Sequence, residues 1–162
     1  MERKAVFGQH SAPDTKSFSY VCCTVTVTLT ITIYDVFYVY HDGDIVLTAD
    51  DWRFDHTVSL DDACVLAIKA VDTGDGDGAA ILVSTSTGVV TDASWKCSGG
   101  AVEQTGWHLP GFDDAAWSQA QVIAANDGSF WMGVLPEISP AAQWIWSQNS
   151  DDDVVFCRKR LC

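Results

Sequence analysis

The chain has 162 residues, 48% of them hydrophobic and 11% aromatic, which suits one domain with a sizeable core and argues against bulk disorder. Its formal net charge of −13 excludes nucleic acid and anionic membrane surfaces as partners, because phosphate is repelled. Nineteen Asp stand against three Glu, with twelve Gly. Asp settles in turns, caps and metal loops where Glu favours helices, so the balance points to a β protein with acidic loops.

In chain order, residues 1–17 read as a polar, loosely ordered N-terminal segment, followed by a single domain over 18–162. The opening MERKAVFGQHSAPDTKSF has charges but no apolar h-region, so no signal peptide is visible. From Val21 to Ile33, Cys23, Val25, Val27, Leu29, Ile31 and Ile33 fall on one parity and Thr24 to Thr32 on the other. This strict period of two rejects a membrane-spanning helix and predicts a strand with one buried face, its Thr face turned to solvent or a partner. Asp35 lands on the apolar parity, which predicts a turn or bulge before the strand VFYVY.

The Asp42-Gly43 dipeptide is a hairpin signal. Short strands are then expected in IVLT, HTVSL, CVLAIKA, AAILVSTS and VVTDASWKC. Between the third and fourth of these segments lies Val71-Asp72-Thr73-Gly74-Asp75-Gly76-Asp77-Gly78, expected as a hairpin tip. From Ser98 to Gly133 the pattern weakens into Gly, Pro and Trp. Two last strands, AAQWIWS and VVFCRKRL, flank the acidic turn Ser150-Asp151-Asp152-Asp153. Many short strands separated by Gly and Asp turns, with no helical stripe, predict an all-β sandwich of jelly-roll type.

Six cysteines (Cys22, Cys23, Cys64, Cys97, Cys157, Cys162) contain no C-x-x-C pair, which argues for disulfides and secretion rather than a zinc ribbon. Fifteen pairings are open to six cysteines. Cys162, last in the sequence, is available to bridge two chains.

Catalytic signatures are missing: the sequence holds no G-x-S-x-G, H-E-x-x-H or Walker loop, and its four His are scattered. A carboxylate pair for glycosidic hydrolysis has no specificity among nineteen Asp. A non-enzyme is expected. Calcium takes several hard oxygens, which short Asp side chains on Gly-rich loops supply. Placing Asp75 and Asp77 at EF-hand positions 3 and 5 puts Gly78 at the turn position, but Ser84 falls where a bidentate Glu is required. The loop is therefore not an EF-hand. Two readings stay open: a calcium site built from Asp72, Asp75 and Asp77, or a solvated turn. Asp113 and Asp114 read as turn residues that anchor Trp117. Trp107 and His108, in a Gly/Pro-rich loop beside Glu103, are the candidate carbohydrate contacts: an exposed ring stacks on a sugar while polar neighbours bond its hydroxyls.

As an ordered set, TITIYDVFYVYHDG, IKAVDTGDGDG, VVTDASWKCS, GWHLPGFDDAAW, ISPAAQWIWS and VVFCRKRL resemble galactose-binding-like β-sandwich domains. They look most like the calcium-dependent galactose-binding lectins of sea-anemone type, and similar patterns occur in sandwich modules of bacterial rhamnosidases. The resemblance spans roughly Thr24 to Leu161. It implies a secreted lectin that binds galactose-type glycans through calcium, and disulfide-linked homo-oligomers in which Cys162 or one of Cys22 and Cys23 bonds a partner chain. A structural or adhesive extracellular module that self-assembles through strands and disulfides, with calcium only stabilising, is the alternative. A third reading, an accessory domain of a glycoside hydrolase, sits less well with the compact ending at Cys162.

Overall fold

The computed structural model describes residues 27–33, 35–51, 53–61, 63–74 and 78–162. Eleven strands are found among them: β1 (Val27–Ile33), β2 (Val36–His41), β3 (Asp44–Ala49), β4 (His56–Leu60), β5 (Val65–Val71), β6 (Ile81–Thr85), β7 (Lys96–Gly99), β8 (Ser118–Gln119), β9 (Gln121–Ala125), β10 (Gln143–Trp146) and β11 (Val154–Arg160). The sheets have the orders β4-β1-β6-β10-β9 and β3-β2-β5-β11-β7-β8, and every pairing is antiparallel. The all-β sandwich expected from the sequence is the fold. No helix among the described residues is long and apolar enough to cross a membrane.

Alternation sets the core. Leu29, Ile31 and Ile33 of β1 meet Phe37 and Val39 of β2, Leu66 and Ile68 of β5, and Val155 of β11 in one apolar cluster between the sheets. Each such side chain, fully withdrawn from water, contributes about 1.5–3 kcal/mol. On the other parity of β1, Thr28 and Thr30 are half-buried, while Thr32 is buried rather than turned to solvent. The part of the expected first strand before Val27, including Cys22 and Cys23, lies outside the described residues, as do residues 1–17.

Turn chemistry agrees with the backbone at two Asp residues. Asp35 has φ 69° at the corner between β1 and β2, and its Oδ2 accepts bonds from the Thr73 N–H (2.6 Å) and hydroxyl (2.8 Å). Asp42 and Gly43 have φ 48° and 109° in the β2–β3 hairpin, the left-handed pair that a tight two-residue turn requires. The Asp42 carboxylate also accepts from the Cys64 and Val65 N–H groups, at 3.0 and 2.7 Å, so the turn residue ties the hairpin to the start of β5.

Four expectations are corrected. The segment 72–78 is not a hairpin tip: β5 lies in the six-stranded sheet and β6 in the five-stranded one, so this link arches across the sandwich. The acidic turn between β10 and β11 is an arch of the same kind. VVTDASWKC gives only one bridged residue, Val90 opposite Ser84, before β7 starts at Lys96, because Asp92 folds its neighbours into an Asx turn through the Ser94 N–H (2.8 Å). Cys162 is not free for a partner chain. It is bonded to Cys64, and Cys97 is bonded to Cys157 across the directly paired strands β7 and β11.

Two of the four sheet edges carry bulges. Val46 is the extra residue in β3 opposite β2, and Ile123 is the extra residue in β9 opposite β10.

Candidate functional site

Each outer face of the sandwich is covered by a long loop. Over the six-stranded sheet, residues 101–117 bring Trp107, Trp117 and Phe112 onto Tyr40, Val65, Ala67 and Phe156. The loop is anchored by Arg158 of β11, only 1% exposed. Its guanidinium donates to the Asp114 carboxylate and to the carbonyls of Phe112 (3.2 Å) and Leu109 (2.9 Å), and lies over the Phe112 ring at 5.4 Å. Asp114 is thus more than the turn residue expected from the sequence.

The same loop brings the three sequence-predicted carbohydrate residues together. Glu103 accepts bonds from Lys69 Nζ (2.9 Å) and Trp107 Nε1 (3.0 Å), and the Lys69 ammonium lies over Tyr38 and Phe156. These bonds, the one from Lys69 foremost, hold the Glu103 carboxyl below its ordinary value. Burial, followed by the Glu103 charge, pushes the Tyr40 phenol up. The exposed position expected for Trp107 is not found. The ring is fully buried, enclosed by Tyr40 at 5.2 Å, Phe156 at 5.1 Å and Trp117 at 6.2 Å, so neither face is open to a sugar. His108 stacks on Tyr40 at 4.8 Å and buries its Nδ1. The loop ring is drawn in because Arg158 pulls down the segment that follows it.

Of the predicted metal residues, Asp72 sits elsewhere, beside the β10–β11 arch. Asp72 follows β5, its backbone N–H donates to the Asp153 carbonyl (2.7 Å), and its Oδ1 accepts from the Gly74 N–H (2.9 Å). Asp75 and Asp77 lie outside the described residues. Asp72, Gly74, Gly78, Ser150, Asp151 and Asp153 line a cleft of about 240 Å³. Its side-chain donors are all oxygens, the chemistry a hard cation prefers. Among the described residues, no group of three or more His, Cys, Asp or Glu is arranged to hold a metal ion.

On the other side of the β10–β11 arch lies a second cleft of about 300 Å³, unmarked by the sequence reading. Gln104, Asp113, Gln148, Asn149 and Asp152 line it together with Ser98, Ser118, Ser147 and one edge of Trp117. Most of these polar groups are held by one bond that leaves further capacity. Gln104 Oε1 accepts from Trp117 Nε1 (3.3 Å), Asp113 Oδ1 from the Ala115 N–H (3.0 Å), and Gln148 Nε2 donates to the Gln119 carbonyl (2.8 Å). The Gln104 amide nitrogen, the Gln148 amide oxygen and the second Asp113 oxygen retain bonding capacity. Asp152 accepts from Ser147 Oγ (2.6 Å) and Asn149 Nδ2 (3.1 Å), and a Cβ on Gly99 would overlap its carboxylate. Glycine at position 99 is what lets the arch close on β7. The available sequence signal was the Gln148-Asn149 pair ahead of the three Asp, which points to a polar turn but not to the loop that meets it.

The chain is similar to an α-L-rhamnosidase from Streptomyces avermitilis, with 30% identity over 133 aligned residues. The match covers 72% of this chain but 13% of that enzyme, so the chain spans a small part of its relative's length. No family model matches, and no solved structure matches. The partial similarity and the two packed antiparallel sheets fit a galactose-binding-like sandwich.

Proposed function

We propose that the chain is a non-catalytic, extracellular carbohydrate-recognition module whose sugar site is the polar cleft beside the β10–β11 arch. The observation that carries this reading is the lining of that cleft: planar amides and carboxylates of Gln104, Asp113, Gln148, Asn149 and Asp152, already oriented by short-range bonds. Sugar hydroxyls act as donor and acceptor at once and are matched by such groups without a large ordering cost. The rhamnosidase similarity supports it, because a match to 13% of an enzyme suits an accessory module. Two disulfides suit an oxidising compartment.

The finer proposal is a lectin of the sea-anemone type that takes galactose-type sugars through calcium, with Asp72, Asp75 and Asp77 as ligands. Calcium would bind adjacent sugar hydroxyls directly. Homo-oligomers, joined by non-covalent contacts or through Cys22 or Cys23, would add avidity.

Retention on galactose and rhamnose resins is the first measurement. Paired Gln148→Ala and Asn149→Ala substitutions are expected to weaken retention about tenfold, from the loss of two or three hydrogen bonds. Wild-type protein that flows through every neutral-sugar resin with calcium present sinks the reading. Release by EDTA is expected for the calcium form. Asp72→Asn should lower calcium affinity in titration calorimetry, and an unchanged isotherm removes Asp72 as a ligand while leaving the cleft intact.

A further inference from the structure

Of the six described tryptophans, five are 0–6% exposed, whereas Trp131 is 48% exposed. It belongs to the loop of residues 126–142 that covers the five-stranded sheet and contributes no residue to the lining of the polar cleft. The loop is built to hold this ring still. Asn126, 4% exposed, donates its side-chain amide to the carbonyls of Leu135 (3.1 Å) and Ile138 (3.1 Å) and accepts from the Leu135 N–H (3.0 Å). Beneath Trp131, Phe130 packs at 5.5 Å between centroids, and Phe130 in turn packs on the buried Trp144 at 4.6 Å. Three aromatic rings thus lead from the core to a half-exposed indole at the surface. Val134, 55% exposed, belongs to the same loop.

We propose that Trp131 is a second carbohydrate contact, an aromatic platform for the apolar face of a neutral pyranose. This rests on the carbohydrate-recognition reading above but not on its cleft. An indole face offers a flat apolar surface comparable to one sugar ring, and a rigidly backed ring loses little conformational freedom on binding. The net charge of −13 repels an anionic membrane and leaves a neutral sugar unaffected, and contact with a second copy of the chain is separated by its concentration dependence in the test below.

The test uses the full chain with labelled indole nitrogens, titrated with methyl β-galactoside and methyl α-rhamnoside. Loss of one indole resonance in Trp131→Phe assigns the signal. A saturable shift of that resonance is expected, with affinity roughly five- to tenfold weaker in Trp131→Ala and partly kept in Trp131→Phe. Unchanged Leu135 and Ser139 amide shifts in Trp131→Ala verify that the loop stays folded. The proposal is overturned if the resonance stays still with both glycosides, moves only with protein concentration, or moves while Trp131→Ala binds as wild type. Gln148→Ala with Asn149→Ala separates the two sites. Loss of the Trp131 shift only in Trp131 variants supports the platform even where the cleft variants bind normally.

Discussion

The two loops that cover the sandwich solve one problem with different chemistry. Both must bring backbone carbonyls onto an apolar sheet without leaving them unpaired. The loop of residues 101–117 does this with charge: the Arg158 guanidinium collects two carbonyls and a carboxylate, and Lys69 holds Glu103. The loop of residues 126–142 does it with a neutral amide, Asn126, and a row of aromatic rings. The ionic solution buries its tryptophan and the neutral one presents it. Where charge clamps the loop, Trp107 is drawn under Glu103; where a compact amide clamps it, the ring at the tip remains at the surface.

The strongest blow to the ionic loop is Asp114→Ala, which leaves the Arg158 guanidinium buried without its carboxylate. A loss of about 3–5 kcal/mol is expected, read from the urea midpoint. On the neutral loop, Asn126→Ala strands the Leu135 N–H and at least two carbonyls, and about 2–3 kcal/mol is expected. Its Leu135 amide should exchange faster, and the deficit should not change with salt. A smaller effect is expected of Glu103→Gln, below about 1 kcal/mol, because the pair with Lys69 is partly exposed and an amide can still accept from Trp107.

Acid titration separates the loops most finely. The folded Glu103 carboxyl lies below its ordinary value, so its contribution is complete above the ordinary Glu range and is lost as pH falls through the depressed value. The indole resonance of Trp107, bonded to Glu103, should therefore move in that acid window in the wild type and remain still in Glu103→Gln. Asn126 does not titrate and the Asp127 carboxylate beside it bonds Ser129, so in Asp127→Asn the Leu135 amide should show no matching step. Equal responses from the two loops would break the comparison.

Much of the fold could be read from residue order. The Thr alternation gave the first strand its buried face, and Asp42-Gly43 formed the hairpin that its chemistry requires. Which sheet a strand joins was not readable, because a strand–turn–strand signal is the same for a hairpin and an arch. That is why residues 72–78 were expected as a tip. Strand β9 escaped notice because Gln121–Ala125 has three exposed residues in a row and a bulge in place of alternation. Cysteine pairing depends on strands 60 and 98 residues apart in sequence becoming neighbours. At the candidate sites, chemistry was legible and exposure was not. A tryptophan in a Gly/Pro-rich loop reads as an exposed ring, but the burial of Trp107 depends on an arginine 51 positions later in the chain. The polar cleft needs Gln104 and Asn149, contributed by two loops that only the sheet order brings together.

The bulges at Val46 and Ile123 carry a consequence for how copies of this molecule can join. An unbroken outer strand is a template on which a neighbour's strand can add, the first step toward fibrils. The extra residues in β3 and β9 twist that template out of register, and β8 is too short to offer one, so β4, with five regularly paired residues, is the remaining described rim suited to growth. Two copies can therefore add to one another edge to edge at β4, but the twisted rims at β3 and β9 stop such a pair from extending into a fibril.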